Sequence, residues 1–188
     1  MDSIVKDAEP SVPEVGAYFN DVFEPTELDE LEHMASMADG AANNAGTKIR
    51  QCKVGYVAPG EPKWLFDKLT FVCRKANQTY FKFMLYGFGE QLQLLRYESV
   101  NEDHYGWHQD LGGGVGCRKL SFSLQLSLPD AYDGGDLVIA KSAGSVLQMP
   151  RTRGVLIFFP SYQMHCVTPV KRGVRHALAG WVRGPAFR

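Results

Sequence analysis

One ten-residue segment, Arg118 to Ser127, most constrains the fold, because polar and apolar side chains alternate along it from Lys119 onward. The apolar set is Leu120, Phe122, Leu124 and Leu126, and the polar set is Ser121, Ser123, Gln125 and Ser127. Alternation with a period of two is typical of a β-strand whose faces meet different surroundings. We expect the leucine face to pack under helices and the polar face to line the interior. A polar interior indicates a pocket, which is unusual for a purely structural sandwich.

Two helical patterns precede this strand. The first spans residues 26–39, with Thr26 as the expected N-cap and acidic residues in the first turn. The second spans residues 62–79 and carries an apolar stripe at helical spacing. Trp64 and Phe71 occur in the second helix, and at this spacing we expect both to belong to the core.

Strand and turn patterns fill the rest of the chain, with a hairpin expected at Lys171-Arg172-Gly173. The other strand candidates are residues 15–19, 50–57, 91–98, 137–140, 146–149, 154–159, 165–170 and 174–183. About eight strands preceded by two helices favour a mainly β (α+β) fold. The expected architecture is an antiparallel sandwich or jelly roll, with the N-terminal helices packed on one outer face.

A chain of 188 residues is expected to form one domain, residues 1–188. Within it, residues 1–90 would be a helical support region with the first strands, and residues 91–188 the jelly-roll core. The longest apolar run, Val155 to Phe159, is far too short to span a bilayer. We therefore expect a soluble cytoplasmic protein with no membrane partner. The four cysteines are widely spaced, which favours free thiols over a zinc site or a disulfide framework.

Charge is distributed unevenly along the chain although the net charge is only −1. The first 47 residues hold eleven acids and one lysine, whereas residues 137–188 hold eight basic residues and no acid. A basic cleft for an anionic partner is one interpretation. The other is that the two ends of the chain pack together with complementary charges. No basic run with interleaved aromatic residues occurs, so we favour the second interpretation and expect no nucleic-acid partner.

The candidate chemistry lies in His108, Asp110 and His165. In a regular strand, His108 and Asp110 point the same way, with Cα atoms roughly 7 Å apart, and can close on one divalent metal ion. Two histidines and one carboxylate form the facial triad of non-haem Fe(II) oxygenases. His104 is a rival ligand by strand parity, but its Cα would lie about 13 Å from that of His108 unless the strand bends sharply. We expect His33 and His176 to be structural.

A possible site for a small dicarboxylate follows on the last strand. Arg175, Ala177, Ala179 and Trp181 share one face, and the two alanines leave room beside the arginine. An arginine binds a carboxylate through charge-assisted hydrogen bonds. This pattern favours an arginine reserved for a carboxylate co-substrate.

The order of these motifs resembles the 2-oxoglutarate/Fe(II) dioxygenases, specifically their prolyl 4-hydroxylase-like branch. The matching pieces cover about half of the chain and are Arg96-Tyr97, residues 105–110, residues 118–121, residues 132–137, residues 159–161, residues 165–170, and residues 173–175 with Trp181. The resemblance implies a double-stranded β-helix with Fe(II) bound by His108, Asp110 and His165. It also implies that Arg175 pairs with the distal carboxylate of 2-oxoglutarate.

Other site residues follow from the same resemblance. Tyr97 matches a tyrosine that helps to hold the co-substrate in this family, and Trp181 completes the same face. Gln125 stands where many relatives carry a second tyrosine, and its amide can donate the same hydrogen bond. O₂ is the second co-substrate, and ascorbate use as a reductant is implied by the resemblance only.

The expected activity is hydroxylation of a C–H bond with release of succinate and CO₂, because Asp110 leaves no open position for a halide. The resemblance favours a prolyl residue in a peptide or protein as substrate. The neutral face of Ser121, Ser123 and Gln125 suits peptide amides, and the glycine-rich segments 40–47 and 111–116 could fold over an extended peptide. A hydroxylase of a free amino acid or other small molecule is an alternative, and a non-catalytic cupin-like metal-binding protein is another. The oligomeric state stays open.

Overall fold

A computed structural model describes residues 15–42, 49–111, 118–141 and 144–186. Its two α-helices are α1 (Pro25–Ser36) and α2 (Lys63–Ala76), the latter followed by a π-helical turn at Asn77–Phe81. The sequence predicts Thr26 as the N-cap of α1, and this prediction is wrong. The cap is Glu24, whose backbone N–H donates to the Glu27 carboxylate at 2.8 Å, and Pro25 occupies the first helical position. Proline suits that position because its missing N–H would have no partner there.

The strands form two antiparallel sheets. In chain order they are β1 (Ala17–Phe19), β2 (Gly40–Ala41), β3 (Arg50–Gln51), β4 (Lys53–Val57), β5 (Gly87–Phe88), β6 (Leu92–Glu98), β7 (His104–His108), β8 (Arg118–Gln125), β9 (Tyr132–Gly134), β10 (Leu137–Ala140), β11 (Val146–Gln148), β12 (Leu156–Pro160), β13 (His165–Val167) and β14 (Val170–Arg183). Within the described residues, the larger sheet has the order β1-β12-β8-β14-β6-β4-β2, with β5 and β9 also paired to β14. The smaller sheet has the order β11-β10-β13-β7-β3. The predicted jelly roll with two helices is confirmed.

The longest strand, β14, organises the larger sheet. It pairs with β6 on one side and with β8 on the other, and its first residues pair with β9. The hairpin predicted at Lys171-Arg172-Gly173 is therefore wrong, because β14 runs through these residues without reversing. The chain instead leaves the smaller sheet after β13, at Thr168 and Pro169, and enters the larger sheet at Val170.

The core has two layers, one on each face of the larger sheet. The outer layer joins both helices to the apolar face of β8, as the alternation of residues 118–127 predicts; Leu31, Leu69 and Leu124 are each 0% exposed in it. The inner layer lies between the two sheets and includes Tyr97 and Ile157. The helices thus support the sheet from outside and leave its inner face to the site.

Two aromatic residues of α2, Trp64 and Phe71, are expected in the core, and the expectation is wrong for Phe71. Trp64 packs against the outer core layer and meets Phe23 edge to face. Phe71 is 51% exposed, because the buried face of α2 is formed by its neighbours Leu69, Val72 and Cys73. Helical spacing alone does not exclude one apolar residue on the solvent side.

Complementary charges join the two ends of the chain. Arg153, from the basic C-terminal part, donates to Asp29 at 2.8 Å and to Glu32 at 3.0 Å on α1.

Cys52, Cys73 and Cys166 are buried free thiols, and Cys117 lies outside the described residues. Among the described helices, none is long and apolar enough to cross a membrane. The division of the chain at residue 90 stays a prediction.

Candidate metal and co-substrate site

His108, Asp110 and His165 converge at one end of the cavity between the sheets. His108 ends β7 and His165 begins β13, and the two residues lie directly opposite each other in the strand register. The Asp110 carboxylate is 3.5 Å from His108 Nε2 through one oxygen and 3.5 Å from His165 Nε2 through the other. One ligand atom from each residue lies within 4.8 Å of the other two. This spacing allows all three side chains to bind a single ion.

Both imidazole rings are oriented by the backbone. Nδ1 of His108 lies 2.8 Å from the carbonyl oxygen of Gly106, and Nδ1 of His165 lies 2.8 Å from that of Gln163. A carbonyl oxygen only accepts, so each Nδ1 donates, and each Nε2 is directed toward the Asp110 carboxylate. Burial lowers the pKa of His165, against the opposing effect of the Asp110 charge.

Asp110 is fixed through both its backbone and its carboxylate. Its backbone N–H donates to the Ser161 carbonyl at 2.8 Å, and the Ser121 hydroxyl donates to its carboxylate at 2.7 Å. Ser121 and Ser161 are also 3.0 Å apart through their hydroxyls. Burial would raise the pKa of Asp110, but hydrogen bonding to His108, the positive potential of His165 and the Ser121 hydroxyl together hold it well below its usual range. The ligand is therefore a fixed, ionised carboxylate.

A β-bulge in β7 decides which side chains reach the site. Tyr105 pairs with Val167 while His108 pairs with His165, so β7 carries one residue more than β13 between these points. The extra residue turns Tyr105 to the side of His108, and the two rings stack with centroids 3.4 Å apart. The bulge also removes the shared parity expected for His104. That residue lies outside the cluster of His108, Asp110 and His165.

Arg175 and Tyr97 provide the second half of the site. They are cross-strand partners on β14 and β6, line the same cavity as the histidines, and are 2% and 0% exposed. Arg175 donates to Gln125 Oε1 at 3.2 Å through Nε and at 2.8 Å through Nη2, and no carboxylate of the described residues pairs with it. The Tyr97 hydroxyl lies beside the Cys52 thiol but makes no hydrogen bond of ordinary geometry with a described residue. A buried cation and a buried hydroxyl are thus left without their natural partners.

Gln125 and Trp181 have different relations to the cavity. Gln125 is 3% exposed and, by accepting two hydrogen bonds, holds the Arg175 guanidinium in place. Its direct contact with a co-substrate stays a prediction. Trp181 lines the cavity, and the Arg118 guanidinium carbon lies 3.8 Å from its ring centre. Arg118 is itself fixed by the Glu90 carboxylate, so the indole is supported from outside.

The site contains residues that sequence reasoning missed. Arg50 and Gln93 line the cavity, and Tyr105 lines it next to His108. Ser121 was expected on the interior face, but not as a partner of Asp110. Ser121 shares strand parity with Gln125, and this parity was the sequence signal that Ser121 faces the site. Tyr105 gave no such signal, because the bulge changes its parity.

These donors fit an octahedral metal and a dicarboxylate. Two imidazoles and one carboxylate on one side of an ion leave further positions open, as in the sites that bind Fe(II) in oxygenases. Arg175, which has no carboxylate partner among the described residues, and the Tyr97 hydroxyl are both buried and match a carboxylate that accepts from both. Most of the two glycine-rich segments, residues 43–47 and 112–116, lies outside the described residues, so their predicted closure over a peptide stays a prediction.

Sequence similarity is concentrated in the jelly-roll part of the chain. Residues 92–183 match the profile of a family described as 2OG-Fe(II) oxygenase superfamily. A PKHD-type hydroxylase, YbiX of Escherichia coli, is 42% identical over 92 residues, which cover 44% of this chain and 39% of the relative. The chain thus spans about 40% of the length of the curated relatives it matches.

Similarity of fold extends over nearly the whole chain. A prolyl-4-hydroxylase of Pseudomonas putida superposes with a TM-score of 0.71 at 21% identity, covering 91% of this chain and 93% of the other. A prolyl hydroxylase of Trichoplax adhaerens, solved with a peptide fragment of hypoxia inducible factor, gives a TM-score of 0.72 at 18% identity, covering 89% and 83%. At these identities the likeness establishes the fold.

Proposed function

We propose that this chain is a 2OG-Fe(II) oxygenase of the prolyl 4-hydroxylase-like branch and that it hydroxylates a C–H bond of a prolyl residue in a peptide or protein. One observation carries the proposal: a His-Asp-His triad and a buried arginine without a carboxylate partner among the described residues face one cavity. The triad fits the metal, and Arg175 fits the co-substrate. Bound Fe(II) supplies oxidation of a C–H bond by O₂, coupled to conversion of 2-oxoglutarate to succinate and CO₂.

The protein residues have separate tasks in this reaction. His108, Asp110 and His165 hold the metal, and their backbone and serine partners keep the ligand atoms in place before metal binding. Arg175 binds the distal carboxylate of 2-oxoglutarate, with the Tyr97 hydroxyl as a second donor. Both donors are already buried, so little reorganisation is needed when the co-substrate binds. Ascorbate as a reductant stays a prediction from the family resemblance.

The choice of a prolyl substrate rests on similarity. The solved structures that share this fold include prolyl hydroxylases, one of them bound to a peptide. The interior serines do not support it as the sequence suggested, because Ser121 is taken by Asp110 and Gln125 by Arg175. Hydroxylation of a free amino acid or another small molecule is the alternative within the same chemistry.

The test is mass spectrometry of a proline-containing peptide library and a panel of free amino acids, each incubated with protein, Fe(II), 2-oxoglutarate and air. We expect a gain of one oxygen on a prolyl peptide, with an equal amount of succinate. Omission of 2-oxoglutarate is the matched control and should leave every peptide unchanged. An oxygen added to a free amino acid, with every prolyl peptide unmodified, would contradict the prolyl assignment and support the small-molecule alternative.

A further inference from the structure

A second arginine, Arg50, reaches the same cavity from the opposite sheet. It lies on β3, at the edge of the smaller sheet, in register with Tyr105. Its Nη2 donates to Gln93 Oε1 at 2.9 Å across the cavity on β6, and its Nε lies 3.3 Å from the Cys52 sulfur. The side chain therefore bridges the two sheets and is held in one direction.

The charge of Arg50 is not neutralised by the described part of the protein. No carboxylate there forms an ion pair or a hydrogen bond with Arg50, whose polar neighbours are Gln93, Cys52 and the tyrosines Tyr97 and Tyr105. Nη1 of Arg50 makes no hydrogen bond to a described residue. A partly buried guanidinium with free donors is costly unless an anion or acceptor completes it.

Arg50 is also close to the metal ligands. Its guanidinium carbon lies 4.7 Å from the centre of the Tyr105 ring, and that ring stacks on His108 at 3.4 Å. These two distances place the Arg50 guanidinium carbon within about 8 Å of the His108 ring centre. In the proposed function, Arg175, with Gln125 and Tyr97, already accounts for the distal carboxylate of 2-oxoglutarate. The His-Asp-His triad accounts for the other end of the co-substrate. Arg50 is left for the substrate.

We propose that Arg50, held by Gln93, binds a carboxylate of the substrate, so that the substrate carries an anionic group close to the oxidised carbon. This inference rests on the proposed function. Arginine suits the task because its planar guanidinium can offer two parallel N–H groups to one carboxylate. The carboxylate can come from the C-terminus of a peptide or from an acidic side chain beside the proline.

Equilibrium binding separates these sources without turnover. Three peptides are titrated by calorimetry into protein loaded with Mn(II) and 2-oxoglutarate without O₂: acetyl-Ala-Pro-Ala-amide, acetyl-Ala-Pro-Ala with a free carboxylate, and acetyl-Ala-Pro-Asp-amide. A charge-assisted hydrogen bond corresponds to roughly 10- to 150-fold in affinity, so at least one acidic peptide should bind about 10-fold or more tighter than the neutral one. The peptide that does so identifies the source of the carboxylate.

Two variants test whether Arg50 causes this preference. Arg50→Gln removes the charge, and Gln93→Glu supplies an internal carboxylate to Nη2 while keeping the arginine. Both should bind the acidic and neutral peptides equally, within about two-fold. Arg172→Gln, which removes an exposed arginine paired with Asp133, is the control and should keep the preference. Gln93→Glu decides the matter alone if Arg50→Gln does not fold.

Three results would overturn the inference. The first is a wild-type protein that binds no acidic peptide tighter than its neutral twin. The second is a preference that persists in either folded variant. The third is a loss of 2-oxoglutarate affinity in Arg50→Gln as large as that in an Arg175 variant, which would assign Arg50 to the co-substrate. Failure of the proposed function would be read separately, as an absence of succinate in the Fe(II) assay.

Discussion

At the scale of single residues, the site depends on where each ligand atom is held before any metal binds. His108 and His165 each use Nδ1 on a carbonyl two residues earlier in the chain, and this shared arrangement presents both Nε2 atoms to the Asp110 carboxylate. Ser121 fixes the carboxylate in turn. The residue-scale predictions follow from this separation between ligands and their supports.

Removal of a ligand should abolish metal binding, whereas removal of a nearby histidine should not. We expect His108→Ala, Asp110→Ala and His165→Ala to lose Fe(II) in anaerobic equilibrium dialysis, because two remaining ligands do not hold the ion against water. His104→Ala is the matched control, since His104 lies on the same strand but outside the cluster. Loss of Fe(II) in the His104 variant, with normal binding by His165→Ala, would overturn the ligand assignment.

The role of Arg175 predicts a graded loss of co-substrate affinity. Lysine keeps the charge but cannot reproduce a two-point guanidinium–carboxylate contact. The loss of one charge-assisted hydrogen bond costs about 1.5–3 kcal/mol, so Arg175→Lys should weaken 2-oxoglutarate roughly 10- to 150-fold. Arg175→Leu should be worse, because the carboxylate would be buried unpaired. Calorimetry with Mn(II)-loaded protein measures both, and an unchanged affinity in the two variants would exclude this role.

At the scale of elements, α2 and α1 stabilise the larger sheet from its outer face. Leu69 of α2 is 0% exposed in the outer core layer, whereas Phe71, two residues later, is 51% exposed. Leu69→Ala should lower the free energy of unfolding by about 2–5 kcal/mol, because it leaves a cavity in a packed layer. Phe71→Ala is the control and should change it by no more than about 0.5 kcal/mol. Urea denaturation measures both, and equal losses would contradict the described packing of α2.

A partly buried histidine makes the contact between α1 and β14 sensitive to pH. His176 Nδ1 lies 3.3 Å from the Glu32 carboxylate of α1 and 3.2 Å from the Ser127 hydroxyl, while its buried Nε2 has no partner among the described residues. Burial lowers the pKa of His176 below the ordinary value of 6.5, although Glu32 opposes this effect. As pH falls below about 6.5, the unfolded chain takes up a proton that the folded chain resists, so stability falls.

We therefore expect the melting temperature of the wild type to drop more between pH 7 and the mildly acidic range than that of His176→Gln. The variant lacks the group whose protonation favours the unfolded chain. His33→Gln is the matched control, because His33 is an exposed histidine on α1. Identical pH profiles for wild type and His176→Gln would show that His176 does not carry this effect.

The elements also show what a sequence can and cannot predict. The alternation along β8 predicts both its helix-facing side and its interior side, because period two has one structural meaning. The bulge in β7 could not be predicted, since one extra residue reverses the parity of everything before it and leaves no mark in composition. That single residue moves Tyr105 into the site and His104 out of it.

At the scale of the whole molecule, the order of motifs predicts the jelly roll and the meeting of His108, Asp110, His165 and Arg175. These residues come together because strands of both sheets and the segment after β7 line one cavity. Arg50 and Gln93 could not be predicted to meet there, because their contact joins strands from different sheets across 43 positions of sequence. The segregated charge pattern predicts that the two ends of the chain pair with each other. The partners of Arg153 on α1 could be identified only from the fold.

Formation of succinate from 2-oxoglutarate tests the central claim most directly. Protein, Fe(II), 2-oxoglutarate and air are combined, and succinate is quantified by NMR for the wild type and for His165→Ala. We predict succinate that requires the protein, Fe(II) and O₂ together and that is lost in His165→Ala. Consumption of 2-oxoglutarate no greater than in the protein-free control, with Fe(II) bound normally by the wild type, would contradict this account and indicate a non-catalytic metal-binding protein.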